Sequence, residues 1–320
     1  MQYGFGSGGL EDASSTNYSL FGQAGGLDFS DQSSTNFQTL GGLAQTLQAN
    51  VPPAPVFSNP ATNYDRLKFV INTGDNPSDA LYALAISSDN FVTTFYVHSD
   101  NTIGSTLEPT DWQTYTNWGG ASGEFVRTLS QDTTYQLKVQ AKRGNFTQSG
   151  FGPSASATTS IPSLTFGISS AALAFSTLDS GNAYTDSSKF TTLTTSTNAY
   201  NGYTIYGRET GPLSFLANTI PDYSSPNSAP TSWTSTGFGY TTNDSSLAGG
   251  SADRFTNGGP KYAGFTTSIP GDPVADHTAV ILDTPVINEQ FTISYRVTGD
   301  ATTKAGVYEN TVVYVVVPVY

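Results

Sequence analysis

The chain has 320 residues, 37% of them hydrophobic and 12% aromatic, enough for two ordinary cores. Only 12% are charged, and with 12 Lys and Arg against 25 Asp and Glu the formal net charge is −13. The scattered cations cannot form the basic patch that nucleic acid or anionic lipid needs, and the lack of any Cys rules out disulfides, thiolate catalysis, Cys-based zinc sites and iron–sulfur clusters. Abundant Ser, Thr, Asn, Tyr, Phe and Val beside scarce helix formers predict an all-β protein. Low charge and almost no oxidisable sulfur suit an extracellular, cell-surface setting. The opening MQYGFGSGGL has no basic stretch leading into a long apolar run, so we expect an exported form with its signal peptide already removed. The longest apolar run, VVYVVVPVY, is too short for a membrane span.

Residues 1–50 are rich in Gly and Ser and repeat themselves: ASSTNYSLFGQ (13–23) is echoed by SSTNFQTLGGL (33–43). Each unit reads as strand, glycine turn, strand, with Tyr18 and Leu20 on one face by the two-residue period. A unit this small cannot shelter its own aromatic side chain. Such units stack on each other, lie on a domain, or add to a neighbour. We take the segment as candidate donor strands and Tyr18, Leu20, Phe37 and Leu40 as candidate subunit-interface residues. Burying these four would contribute roughly 6 to 12 kcal/mol before ordering costs.

A proline-rich joint around Pro52, Pro53 and Pro55 leads into residues 51–160, where short alternating stretches (DRLKFVIN, ALYALAISS, FVTTFYVH, GEFVRTLS, TTYQLKVQAKR, PSASATT) are separated by turns at the spacing of a β-sandwich. LSQDTTYQLKVQAKRGNFTQSGFGPSASATTS resembles the end of a fibronectin type III domain. Leu129 followed by Tyr135 matches its tyrosine corner, Val139 and Ala141 its inward residues on the penultimate strand, and Tyr82 the aromatic of its third strand. The early-strand tryptophan of that family is absent, with Val70 or Ile71 where it would sit. The resemblance implies a spacer or binding module.

Residues 161–320 alternate again, in LTFGISSAALAFSTL, KFTTLTTSTNAYNGYTIYGRE, FTISYRVTG and GVYENTVVYVVVPVY. The last two resemble the closing hairpin of bacterial cell-surface β-sandwich domains, through Ala305, Gly306, Tyr308, Asn310 and Thr311, and Asn198 and Gly202 fit the same class as flanks of a strand turn. The SSTNY and SSTNF repeats are similar to those preceding fibronectin-like modules in such proteins. We therefore expect two immunoglobulin-like or fibronectin-like sandwiches in tandem after an extended β-rich segment. A long Pro-, Gly- and Ser-rich loop, 221–262, interrupts the second and carries Trp233, Phe238, Tyr240 and Phe255.

Residues capable of chemistry are sparse. GFGSGG matches a dinucleotide fingerprint formally, but no helix follows to hold a pyrophosphate. The two histidines, His98 and His277, have no nucleophile elbow and no metal-ligand partner at helical spacing, and both read as surface residues. Glu108 with Asp111, and Asp179 with Asp186, would suit a glycosidase only across a cleft, and in loops they read as turn-formers or caps. SDNTIGSTLE and DSGNAYTDSS are oxygen-rich without the spacing of a calcium loop. A spontaneous cross-link between Lys189 and Asn310 would need a buried carboxyl beside the pair. No cofactor and no metal is expected.

Two functions fit. The first is a non-enzymatic structural subunit of a surface filament or pilus-like fibre, a head-to-tail homopolymer built by β-strand addition of residues 1–50 to a neighbouring copy. The second is a monomeric adhesin or carbohydrate-binding module that stacks surface glycans on an exposed platform of Trp112, Tyr115 and Trp118.

Overall fold

The computed structural model describes residues 49–144, 148–178, 189–277 and 284–320 in full, and the backbone alone of 8–15, 18–24, 32–33, 38–39, 147 and 183–184. The chain divides into two compact units, Met1–Ile161 and Pro162–Tyr320.

In the N-terminal segment, β1 (Gly8–Ser15) and β2 (Tyr18–Ala24) form an antiparallel two-stranded sheet, and β3 (Gln32–Ser33) pairs with β4 (Gln38–Thr39) in another. Of the expected interface residues, Tyr18 and Leu20 fall on β2, whose backbone alone is described, and Phe37 and Leu40 lie outside the described residues.

The first sandwich follows with β5 (Val56–Ser58), β6 (Leu67–Val70), β7 (Leu81–Ser87), β8 (Phe95–Val97), β9 (Ile103–Gly104), β10 (Gln113–Thr114), β11 (Glu124–Val126), β12 (Thr134–Arg143), β13 (Thr147–Gln148) and β14 (Ala155–Thr158). One sheet runs β11-β6-β5; the other runs β13-β12-β7-β8-β9, with β10 on β7 and β14 on β12. This is the strand arrangement that the fibronectin type III resemblance implies. Alternation along β12 sends Tyr135, Leu137, Val139 and Ala141 into the core. The tyrosine corner is closed: the Tyr135 hydroxyl accepts a hydrogen bond from the Ser130 N–H at 2.9 Å, with Leu129 buried beside it. Ile71, one of the two residues expected where the missing tryptophan would sit, is buried in this core. Phe69 points inward from the second strand, and Trp118, from a distant loop, meets its ring edge-on at 5.7 Å and fills the space.

The joint before this sandwich is fastened to it. Ala49 is buried, the Asn50 N–H donates to Asn76 Oδ1 at 2.7 Å, and Asn76 Nδ2 donates back to the Asn50 carbonyl at 2.9 Å. Gly152 lies so close that a Cβ there would meet the Pro52 carbonyl oxygen at 1.9 Å.

The second unit contains β15 (Leu164–Ile168), β16 (Ala183–Tyr184), β17 (Phe190–Thr197), β18 (Tyr203–Glu209), β19 (Leu213–Phe215), β20 (Asn218–Ile220), β21 (Gly237–Thr242), β22 (Asp272–His277), β23 (Val286–Thr298) and β24 (Val312–Pro318). One sheet runs β15-β17-β23, with β16 and β21 also on β23; the facing sheet runs β22-β18-β24; β19 and β20 form a separate hairpin. The turn between β17 and β18 does run from Asn198 to Gly202, with Asn198 Oδ1 accepting from the Ser163 N–H at 2.8 Å and Gly202 in the left-handed region at φ 82°.

Two expectations are corrected here. FTISYRVTG and VVYVVVPVY do not close as a hairpin: β23 and β24 lie in different sheets, because β24 takes its ladder from β18 and turns Tyr314 and Val316 onto the core. Nor is 221–262 merely a loop. It contains β21 and gives Phe238, Tyr240 and Phe255 to the core, where Tyr240 stacks on Phe265 at 4.3 Å. Close backbone approach makes room for it, since a Cβ on Gly239 would strike the Ala263 carbonyl oxygen at 2.5 Å. Buried Arg254 binds the excursion together through hydrogen bonds to the carbonyl oxygens of Asn227, Leu247 and Ala248 and to Asn227 Oδ1.

Candidate assembly site

The proposed aromatic platform does not form. Trp118 is 1% exposed and donates from Nε1 to the Tyr82 carbonyl at 2.9 Å, so it belongs to the core rather than to a ligand surface. Tyr115 packs against that same core, and the half-buried Trp112 ring is covered by the Lys142 ammonium at 4.6 Å from its centroid. The loop places indoles where a sheet needs filling, which Trp spacing alone does not distinguish from a platform.

The candidate acids serve locally. Asp111, fully buried, accepts from the Ser99 and Glu108 N–H groups and meets His98 Nδ1 at 2.8 Å; with Glu108 it caps a single 3-10 turn. His277 Nδ1 meets Glu289 Oε1 at 2.9 Å, and the Tyr203 hydroxyl donates to Glu289 Oε2 at 2.6 Å. Both histidines are thus half-buried members of acid pairs rather than free surface groups. Asp179 and Asp186 lie outside the described residues, and among those described no cluster of three acidic or His side chains could hold a metal.

One arrangement escaped the sequence. Glu209, at the end of β18, is fully buried and faces Asp222. Glu209 Oε1 and Asp222 Oδ1 are shut off from solvent with no hydrogen-bond donor against them. Burial foremost, and then the facing Asp222, push the Glu209 carboxyl up to about 8. Its other oxygen accepts from Asn310 Nδ2 at 2.8 Å, and Asn310 Nδ2 also reaches the Gly211 carbonyl at 3.4 Å. The partner found for Asn310 is therefore Glu209. Lys189 lies just before β17, a strand of the other sheet, with its carbonyl accepting from the Tyr295 N–H. Glu209 also pairs in register with Val312, so the acid pair sits at the root of β24.

The two edges of the β22-β18-β24 sheet are treated differently. β22 carries Pro273, two aspartates and a register shift opposite Ile205 and Tyr206, all features that discourage further pairing. The 221–262 excursion also covers it: the Asp276 N–H donates to Asp244 Oδ2, the Ala248 N–H to Asp276 Oδ2, and Asn227 Nδ2 to the Pro273 carbonyl. β24 has no charged residue, no register shift and no proline before its last residue, Pro318. Among the described residues its backbone is laddered on one side only, to β18, from Val312 opposite Glu209 to Pro318 opposite Tyr203. VVYVVVP carries no charge, and Val315 and Val317 are 38% and 43% exposed. Other sandwich edges are shorter: β9 and β13 have 2 residues, β5 and β11 have 3, β15 has 5 and β22 has 6, against 7 for β24.

No family model and no curated protein matches the sequence. Among solved structures, a fibronectin type III domain derived from human KIAA0970 protein is similar at 16% identity and a TM-score of 0.25, over 36% of this chain and 76% of that one. The chitinase ChiA74 from Bacillus thuringiensis is similar at 12% identity and a TM-score of 0.18, over 82% of this chain, which spans only 28% of the chitinase. The fibronectin-like reading of the first sandwich rests on its strand order and its closed tyrosine corner. Among the described residues no helix is long and apolar enough to cross a membrane.

Proposed function

We propose that this chain is a non-enzymatic structural subunit of an extracellular surface filament, joined to neighbouring copies by addition of its N-terminal β-segment to their sheets. One observation carries the reading: β1 and β2 form a sheet of their own, and among the described residues neither pairs with a third strand. A lone two-stranded sheet is marginal in water and gains most from joining a larger one. Main-chain hydrogen bonds then supply affinity and the apolar residues of the repeats supply specificity. A strand donated by one subunit to the next is a heterologous contact, which extends instead of closing.

Negative-stain electron microscopy of the full chain beside a version lacking residues 1–50 tests this. Fibres from the full chain and single particles from the shortened one are expected. Identical monodisperse particles from both would refute it.

A further inference from the structure

Resting on that reading, we infer that the acceptor is the open edge of β24, and that its occupant is β2 of a second copy of this chain. The first ground is the contrast across one sheet. β22 has a proline, acidic side chains, a register irregularity and a covering excursion that together prevent pairing. From Val312 to Val317 β24 has the opposite: six uncharged residues, most of them β-branched, before Pro318 ends the strand, with a row of backbone groups left unpaired among the described residues. A long, apolar, uncharged edge is a template for another strand, and this molecule protects only one of the two edges.

The second ground is electrostatic. Copies of a chain with a formal net charge of −13 repel each other, so contact is easiest where neither surface carries charge. β2, YSLFGQA, has no ionisable acid or base of low or high pKa beyond its tyrosine, and at 7 residues it matches β24 in length. β1, GGLEDASS, would bring Glu11 and Asp12 to the contact. The third ground is economy of open edges. A symmetric β24 to β24 pair would satisfy one open edge and leave β2 bare, whereas β2 on β24 of the next copy satisfies both at every contact and repeats along a fibre.

Two measurements on the full chain test the assignment. In the first, the double variant Val315→Lys with Val317→Lys places two cations on the outward row of β24, the device by which edge strands resist pairing. It should fold with an unchanged thermal midpoint and raise the concentration needed for assembly, read by sedimentation, at least about tenfold. In the second, the absence of native Cys leaves a clean background for copies carrying only Leu20→Cys or only Val315→Cys, mixed with different tags and treated with a short bis-maleimide. Coupling between the two kinds of copy is expected. Normal assembly of the lysine variant, while removal of residues 1–50 abolishes fibres, would overturn β24 as acceptor and leave the filament reading standing. Coupling of Val315→Cys copies only to one another would overturn β2 as the occupant. Fibres from the version lacking residues 1–50 would refute the reading on which both rest.

Discussion

The two sandwiches fill their cores from different places. In the first, most buried side chains come from strands, Ala49, Ile71, Ala80 and Leu129 come from the short stretches that lead into or out of them, and one residue of a long loop, Trp118, completes the core. In the second, strands supply Leu193, Ile205, Ile293 and Val297, but Phe255, Leu247 and Phe265 arrive from irregular segments, and a buried guanidinium, Arg254, fixes the path of the chain that brings some of them. The difference lies in distance along the chain: apart from Trp118, the first core is drawn from strands and residues close to them, whereas the second takes aromatic residues from a long excursion. A core assembled by a long excursion needs internal polar bonds, because irregular backbone leaves carbonyls that no ladder satisfies.

Substitutions break the comparison in graded ways. Trp118→Ala should have the largest effect, about 4 kcal/mol on the first unit, since it empties the space beside Phe69 and orphans the Tyr82 carbonyl; calorimetry should show the second unit's transition unmoved. Arg254→Ala should reverse that pattern, costing the second unit about 3 kcal/mol by leaving the Asn227, Leu247 and Ala248 carbonyls without donors.

Glu209→Gln sharpens the contrast through pH. The folded carboxyl keeps its proton up to about 8, against an ordinary value of 4.5. Its contribution to the second unit is thus fully present below 4.5 and is lost as the pH rises through about 8. Chemical denaturation across that window should show the parent losing stability steadily as the pH rises, and the glutamine variant, which can donate to Asp222 and still accept from Asn310, should stay nearly flat. The smallest effect is expected of Tyr135→Phe, about 1 kcal/mol on the first unit through the unpaired Ser130 N–H, with the rest of the corner intact.

What could be read from the sequence follows the same division. The corner was legible because Leu129 and Tyr135 lie close together along the chain and because β12 alternates without interruption. Trp118 was misread because its indole fills a space opened by Phe69, on a strand far back in sequence. The acid pair was invisible for the same reason: Glu209 ends one strand, Asp222 follows a separate hairpin, and Asn310 precedes the last strand. Each reads as an ordinary polar residue of a turn until the two sheets are assembled. Edge protection was equally hidden, since β22 and β24 become the two margins of one sheet only through β18.

The fastening ahead of the first sandwich has a mechanical consequence. Asn50 and Asn76 grip each other through two hydrogen bonds, and Pro52 is wedged against Gly152, so tension applied upstream of Asn50 enters the domain at that clamp instead of being absorbed by a slack tether. The amide pair is the first element to carry the load, and Asn76→Ala should lower the force at which the preceding segment peels away.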